Sequence, residues 1–173
     1  MITHLLVATD GSPNAGRAVD FAIDLASRYN SRLSVVYVVT NGKVSDSLRH
    51  MAEVEHIVDS NVKSNSPATT TFPSQLVAEL GETGTRSREI LTRIGDYLVD
   101  ITSKNARSSG VKDIKTYVEN GDAAEVVLEI AKDNGVDVIV TGSRGLGNLK
   151  GLLLGSVSYK ILQAAECTCI NVK

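Results

Sequence analysis

The chain has 173 residues, a length that suits one medium-sized domain and can bury about 70% of its unfolded surface without disulfides or metals. Hydrophobic residues make up 42% and charged residues 22%, which excludes a chain that is disordered throughout. The 18 Lys and Arg nearly balance the 20 Asp and Glu, and the net charge of -2 argues against nucleic acid as the main partner.

Two further observations bear on location. No apolar run approaches the roughly 18 residues that a membrane span needs. The first five residues lack the basic region and the long apolar stretch of a signal peptide. We therefore expect a cytoplasmic protein that does not cross a membrane.

Strands and helices are predicted to alternate along the chain. Mainly aliphatic runs at 5–8, 33–39 and 136–140 predict strands that are apolar on both faces, as in a parallel sheet covered by helices. Weaker patterns place two more strands near 114–118 and 169–172. The order indicates an α/β fold with five strands.

The helices between these strands carry start and stop signals. Ser12 is expected to cap the first helix, with Pro13 at its first position. Asp122 and Glu125 have the spacing of a capping box at the start of a helix that Gly135 ends. The apolar stripe of the first helix consists of Ala15, Ala18, Val19, Ala22, Ile23 and Ala26. That of a helix ending near Gly110 consists of Ile90, Ile94, Tyr97, Leu98 and Ile101.

Polar residues interrupt this alternation at about 41–85. We interpret the chain as one domain over 1–173, with a polar insertion at about 41–85. Within it, His50, Glu53 and His56 share a broad helical face, for which solvated surface is the favoured interpretation and a metal site the alternative.

The cysteines are two positions apart in a predicted strand. The Cα atoms of Cys167 and Cys169 are expected roughly 6.6 Å apart, which makes a poor disulfide. Redox or metal chemistry needs a different spacing or more ligands, so we interpret both as small core or interface side chains and assign no metal site.

A glycine-rich segment, TGSRGLGNLKGLLLGSVS, occupies residues 141–158 after an aliphatic strand. A strand that leads through glycines into a helix presents backbone N–H groups to an anion, and phosphate is the expected guest. We expect the backbone from 142 to 156 to form a cup of N–H groups, to which Ser156 adds a hydroxyl at the helix start. A tight connection without a ligand is the alternative. The segment has neither the Walker spacing nor a GxGxxG after the first strand.

Gly142-x2-Gly145-x9-Gly155-Ser156 resembles the phosphate-binding signature of the ATP-binding branch of the universal stress protein family. The resemblance extends to LLVATDGSPNAGRAVDFAIDLA, SVVYVV and GDAAEVVLEIAKDNGVDVIVTGSRG, and so covers most of the chain outside the insertion. It implies an open five-stranded parallel sheet of order 3-2-1-4-5 with helices on both faces, the adenine nucleotide alpha hydrolase-like fold. The implied ligand position, at the carboxyl ends of strands one and four, is the topological switch point of such a sheet.

The resemblance implies site residues by motif. Asp10 is expected to contact the adenosine portion, and the backbone of Val38 to border adenine. The alternatives are that Asp10 only shapes its turn and that Val38 is a core residue. Arg144 and Lys150 could screen phosphates or be solvated loop charges. The remaining expected site residues are Ala8, Thr9, Gly142, Ser143, Gly145, Gly155, Ser156, Val157 and Ser158.

The implied ligand is ATP, or AMP or another adenine nucleotide, with Mg²⁺ bridging the phosphates. The implied function is stress-response regulation, in which nucleotide binding alters conformation or dimer contacts. One alternative is a slow ATPase or autophosphorylating enzyme, for which we assign no catalytic residue. The other is a nucleotide-free dimerising module.

The resemblance also implies a homodimer that pairs through the last strand, Thr168 to Val172. Family members usually have a proline where this chain has Thr168. Thr168 has a backbone N–H that proline lacks, so it could alter this edge of the sheet.

Overall fold

The computed structural model describes residues 1–40, 84–146 and 154–173. Strands and helices alternate along the described residues, as the sequence predicts. They are β1 (His4–Ala8), α1 (Pro13–Tyr29), β2 (Arg32–Val39), α2 (Gly84–Ser108), β3 (Ile114–Asn120), α3 (Ala123–Asp133), β4 (Val138–Gly142), α4 (Ser156–Ala164) and β5 (Thr168–Val172).

All strand pairs in the sheet are parallel, and their order is β3-β2-β1-β4-β5. β1 lies at the centre, where Val7 pairs with Val35 on one side and with Val140 on the other. The predicted fold class and strand order are therefore confirmed. The chain leaves β1 toward β2 and returns on the other side at β4, so the switch point lies between β1 and β4.

Two of the described helices cover each face of the sheet. α1 and α2 cover the face that carries Leu5, Val7, Leu33 and Val35, and small side chains on α1 such as Ala22 let the helix pack closely. α3 and α4 cover the other face; the core there contains Leu6, Val36, Val127, Ile139 and Ile161. The sheet is thus buried on both sides, as the mainly aliphatic strands predict.

The predicted start and stop signals act as expected. Ser12 caps α1 by accepting a hydrogen bond from the N–H of Ala15 at 3.2 Å. Asp122 caps α3 by accepting from the N–H groups of Ala124 and Glu125 at 3.0 and 3.2 Å. Gly135 ends α3 with a φ of 61°, in the left-handed region that favours glycine.

The boundaries of β4 differ from the prediction. The strand begins at Val138 rather than at residue 136, because the N–H of Val136 donates to Ala131 at 2.9 Å and closes the end of α3. It continues past residue 140 to Gly142, which pairs with Val172 of β5. The glycine-rich segment therefore starts inside the sheet.

Most of the predicted insertion lies outside the described residues, as do His50, Glu53 and His56. Among the described residues, no group of three or more His, Cys, Asp or Glu is placed to hold a metal ion. The helices in this part of the chain include none that combines the length and the apolar character needed to cross a membrane.

Cys167 and Cys169 are free thiols, half-buried against the face covered by α3 and α4. Burial is the main cause that raises the pKa of both thiols above the ordinary value. Both side chains therefore stay protonated and pack as small apolar groups, in keeping with the interpretation from sequence.

His4 is buried at the start of β1, at the amino ends of the strands, whereas the glycine-rich segment follows the carboxyl end of β4. Its Nδ1 lies 3.1 Å from the carbonyl oxygen of Asn134, and its Nε2 lies 2.8 Å from Oγ of Ser34. Because a carbonyl only accepts, Nδ1 carries the proton and Nε2 accepts from the hydroxyl, which is the neutral form of the ring. Burial is the main cause that lowers the pKa of His4.

This arrangement predicts acid-sensitive stability. Below pH 6.5, the ordinary His pKa, His4 is protonated in the unfolded chain but stays neutral in the folded chain. The free energy of unfolding therefore decreases as the pH is lowered. The fall levels off below the lowered pKa of the folded state, and one proton contributes a slope of at most about 1.4 kcal/mol per pH unit. Urea unfolding between about pH 5 and about pH 8 should show a shallower pH profile for His4→Gln than for wild type. Parallel profiles would contradict the assignment.

Candidate functional site

The candidate site lies where β1 and β4 end side by side. Their parallel register pairs Val7 with Val140, so the turn that begins at Thr9 adjoins the segment that begins at Gly142. α1 starts immediately after the turn, and α4 starts after the glycine-rich segment. Two helix N-termini therefore follow neighbouring strand ends, an arrangement that favours a negatively charged ligand.

Asp10 joins the turn after β1 to the loop after β4. Its Oδ1 accepts from the N–H of Ser12 at 2.9 Å, and its Oδ2 accepts from the N–H of Leu146 at 3.0 Å. The first bond is the turn-shaping role that the sequence left open as an alternative. The second is a contact between residues 136 positions apart, which no local pattern signals.

Of the predicted cup of N–H groups at 142–156, residues 147–153 lie outside the described residues. In the part that is described, several N–H groups already have acceptors within the protein. The N–H of Ser143 donates to Val172 at 2.6 Å, that of Gly155 donates to Ser143 at 2.7 Å, and that of Leu146 is taken by Asp10. These bonds hold the two ends of the loop together. No described residue accepts from the N–H groups of Arg144 and Gly145.

The N-terminus of α4 supplies further N–H groups. Its N-cap is Gly155, which has no side chain to accept a hydrogen bond. The N–H of Tyr159 donates to the carbonyl of Gly155 at 2.9 Å, the first hydrogen bond of the helix. The N–H groups of Ser156 and Val157 come before this bond and therefore have no acceptor within the helix. Both residues are exposed, and the positive end of the helix dipole lies there.

The remaining predicted residues differ in where their side chains lie. Ser158 is buried, and its hydroxyl donates to the carbonyl of Gly142 at 2.7 Å, so this side chain ties α4 to β4. Thr9 is also buried, and its hydroxyl accepts from Gly11 at 3.3 Å. Ser143 is buried too, with Oγ 3.5 Å from Nδ2 of Asn14. These hydroxyls serve the framework of the site.

Ala8 and Val38 are half-buried and pack against the core face covered by α3 and α4. They form the apolar side of the site, where the core role of Val38 and a place beside a base are compatible. Arg144 is exposed, whereas Lys150 lies outside the described residues.

The three glycines of the signature differ in how much space the fold leaves for a Cβ atom. A Cβ on Gly142 would lie 2.8 Å from backbone atoms of both Asn14 and Ala15, so the close approach of α1 requires glycine there. A Cβ on Gly145 would overlap Oδ2 of Asp10. A Cβ on Gly155 would lie 3.5 Å or more from every described atom, which is ordinary contact distance. Contacts with described residues thus require glycine at 142, whereas a Cβ at 145 would displace the Asp10 side chain and a Cβ at 155 would fit.

The structure adds residues that the sequence did not single out for the site. The hydroxyl of Ser12 lies 3.5 Å from the carbonyl oxygen of Arg144, and Leu146 contributes its N–H to Asp10. Tyr37 is buried beside the end of β1, and burial, with a smaller contribution from the charge of Asp10, raises its pKa to about 12. The one sequence signal for the position of Tyr37 is the alternation of side chains along β2, which places Tyr37 and Val38 on opposite faces of the sheet.

The difference between the glycines predicts different effects on stability. Gly142→Ala should lower the free energy of unfolding by about 1–3 kcal/mol, because the clash is with backbone that cannot rotate away. Gly155→Ala should change it by less than about 0.5 kcal/mol, since its φ of -73° suits any residue. Urea unfolding of the ligand-free proteins measures both. Equal losses, or a larger loss at residue 155, would contradict the different roles assigned to the two glycines.

Comparison with known proteins places the chain among related sequences. A model described as the universal stress protein family matches residues 1–173. Universal stress protein YxiE of Bacillus subtilis (strain 168) is 30% identical over 175 residues, covering 100% of both proteins. Stress response protein NhaX of the same organism is 31% identical, over 98% of this chain and 97% of the relative.

Solved structures share the fold. Universal stress protein UspA from Lactobacillus plantarum has a TM-score of 0.66 and 20% identity, over 99% of this chain and 97% of that chain. A universal stress protein in complex with cAMP has a TM-score of 0.58 and 20% identity, over 99% and 96%. A universal stress protein from Archaeoglobus fulgidus in complex with dAMP has a TM-score of 0.54 and 14% identity, over 100% and 98%.

Proposed function

Since the chain belongs to the universal stress protein family, we propose that it binds an adenine nucleotide at the carboxyl ends of β1 and β4 and acts as a stress-response regulatory protein. The observation that carries this proposal is the geometry at Gly155. Its missing Cβ would point toward the backbone of Arg144 and Gly145, 3.5 Å from Cα of Arg144 and 3.7 Å from N of Gly145. A side chain at 155 would therefore cover the backbone N–H groups that the fold leaves without an acceptor among the described residues.

The phosphates would be held by this backbone. The N–H groups of Arg144 and Gly145 lie on one side of Gly155, and those of Ser156 and Val157 lie on the other, in the first turn of α4. The exposed Arg144 side chain adds positive charge. If three such donors each contribute about 1.5–3 kcal/mol, their gross contribution is about 4–9 kcal/mol before the entropy of binding is subtracted.

The nucleoside would add the contacts that the phosphates alone do not supply. Ala8 and Val38 provide an apolar surface beside the site, and Asp10 provides a carboxylate that can accept from ribose hydroxyls. Two proteins of the same fold are in complex with cAMP and dAMP, which supports an adenine nucleotide as the ligand class.

We propose ATP as the physiological ligand, with AMP or another adenine nucleotide as the alternative. A triphosphate offers more oxygens to the free N–H groups than a monophosphate does. Mg²⁺ would come with the nucleotide, bridging its phosphates. Nucleotide binding to the native state stabilises one conformation or dimer arrangement, and this is the regulatory step we propose.

Titration calorimetry tests nucleotide binding directly. Wild type should bind ATP with Mg²⁺ saturably, and Gly155→Val should weaken binding roughly 10- to 100-fold, the loss expected for one covered charge-assisted hydrogen bond. Gly16→Val is the matched control, because no described atom lies within 4 Å of a Cβ at Gly16 and this residue is on the exposed side of α1. It should bind like wild type.

The outcome that rejects the proposal is equally direct. Absence of both heat and thermal shift for wild type at millimolar ATP, AMP and cAMP would reject adenine nucleotide binding. Equal losses in Gly155→Val and Gly16→Val would show that the effect does not arise at the candidate site. Mass spectrometry of gently purified protein adds an independent measurement, since a retained nucleotide identifies its own class.

We also propose that the chain is a cytoplasmic homodimer paired through β5, with residues 1–173 as one domain. β2 and α2, which flank the predicted insertion, pack against each other, which supports a single domain. β5 is an edge strand of the described sheet. The N–H of Thr168 donates to Asp137 and the carbonyl of Val172 accepts from Ser143, so the N–H and C=O of the alternate residues Cys169 and Asn171 face the open side.

Thr168, at the position where family members usually have proline, therefore adds no hydrogen-bond donor at the proposed dimer interface. Its N–H is directed inward, where it meets the carbonyl of Asp137 at 3.2 Å. The edge remains available for a second copy of the strand.

Light scattering tests the dimer. Wild type should have twice the 18.4 kDa chain mass, and Asn171→Pro should shift the mass toward one chain, because proline removes an N–H that faces the proposed dimer interface. Asn171→Ala is the control: it loses the side-chain bond from Thr141 but keeps the N–H, and should remain dimeric. A monomeric wild type, or a dimeric Asn171→Pro, would contradict pairing through β5.

A further inference from the structure

Asp10 is engaged by two backbone segments in the ligand-free chain. Its carboxylate accepts from Ser12 in the turn after β1 and from Leu146 in the loop after β4, at 2.9 and 3.0 Å. Each oxygen serves one segment. The carboxylate therefore fixes the loop relative to the turn, in addition to shaping the turn itself.

Gly145 is matched to this contact. Oδ2 of Asp10 occupies the space that a Cβ on Gly145 would need. The φ of Gly145 is not in the left-handed region, so its backbone conformation does not demand glycine. Glycine at 145 instead gives the carboxylate room to pass over this residue and reach the N–H of Leu146.

The N–H groups of Arg144 and Gly145, which no described residue accepts from, immediately precede this contact. Fixing the N–H of Leu146 restricts the rotation of the peptide groups before it. We propose that Asp10 is a positioning residue, whose carboxylate holds the loop at Leu146 so that the N–H groups of Arg144 and Gly145 face the phosphates of the ligand. This inference rests on the proposed nucleotide site and assigns to Asp10 a role in addition to contact with the adenosine portion.

If Asp10 acted through its charge alone, removing that charge would have the opposite effect to removing a positioning residue. A carboxylate near a phosphate repels it, so Asp10→Asn would strengthen the binding of phosphorylated ligands if charge alone mattered. A direct contact with adenosine would instead weaken adenosine, AMP and ATP by the same factor. Positioning of the loop adds a further loss for AMP and ATP, which adenosine does not show because it has no phosphate. The three accounts therefore differ in direction or in ligand dependence.

Calorimetric titration of the full chain with adenosine, AMP and ATP with Mg²⁺ distinguishes them. For Asp10→Asn we expect affinity for AMP and ATP to fall at least about tenfold more than affinity for adenosine. The control is Asp20→Asn, which removes the same charge from an exposed position on α1 and should match wild type. Equal losses for all three ligands, or tighter phosphate binding, would overturn the inference.

Gly145→Ala provides a second variant that keeps the carboxylate. Its Cβ displaces the Asp10 side chain from Leu146, so it should reproduce the ligand dependence of Asp10→Asn, and the double variant should bind no more weakly than the weaker single variant. Additive losses would overturn the inference. Hydrogen exchange at the Leu146 amide should be faster in Gly145→Ala and in Asp10→Ala, which has no side-chain acceptor, than in wild type, and unchanged exchange would also overturn the inference. A wild type that binds none of the ligands would instead reject the proposed function, and the inference with it.

Discussion

The parallel pairing of β1 with β4 is the constraint on which the candidate site depends. Because Val7 pairs with Val140, the turn at Asp10 and the loop after Gly142 end at the same edge of the sheet. The two segments are far apart in sequence, and each alone is an ordinary connection. Their backbone groups form a site only because buried aliphatic strands hold them in register.

The signature glycines separate the requirements of the fold from those of the proposed ligand. Gly142 admits the first turn of α1, and Gly145 admits the carboxylate of Asp10, so both are explained without a ligand. Gly155 has ordinary space around a Cβ and a φ that other residues adopt. We explain its glycine by the proposed ligand, an anion that would approach the N–H groups beyond it. A glycine-rich motif is therefore not uniformly evidence for binding.

The sequence predicts elements that depend on local patterns and leaves out contacts that depend on distant ones. Ser12 and Asp122 cap their helices as expected, because capping is decided within three residues. The contact of Asp10 with Leu146 uses a backbone N–H, which has no residue-type signature, and spans 136 positions. The predicted start of β4 is wrong because Val136 closes α3 instead of entering the sheet, a choice between two apolar roles that hydrophobicity cannot decide.

β5 contributes to the proposed nucleotide site and to the proposed dimer interface, but with different backbone atoms. On its inner side, the carbonyl of Val172 accepts from Ser143 and so holds the base of the loop, while Arg17 of α1 donates to the carbonyl of Lys173 at 2.7 Å. On its outer side, the backbone groups of Cys169 and Asn171 point away from β4. A second copy can therefore pair with the strand while every inner hydrogen bond remains. The proposed dimer and the proposed nucleotide site are compatible for this reason, since they would use alternate residues of one strand.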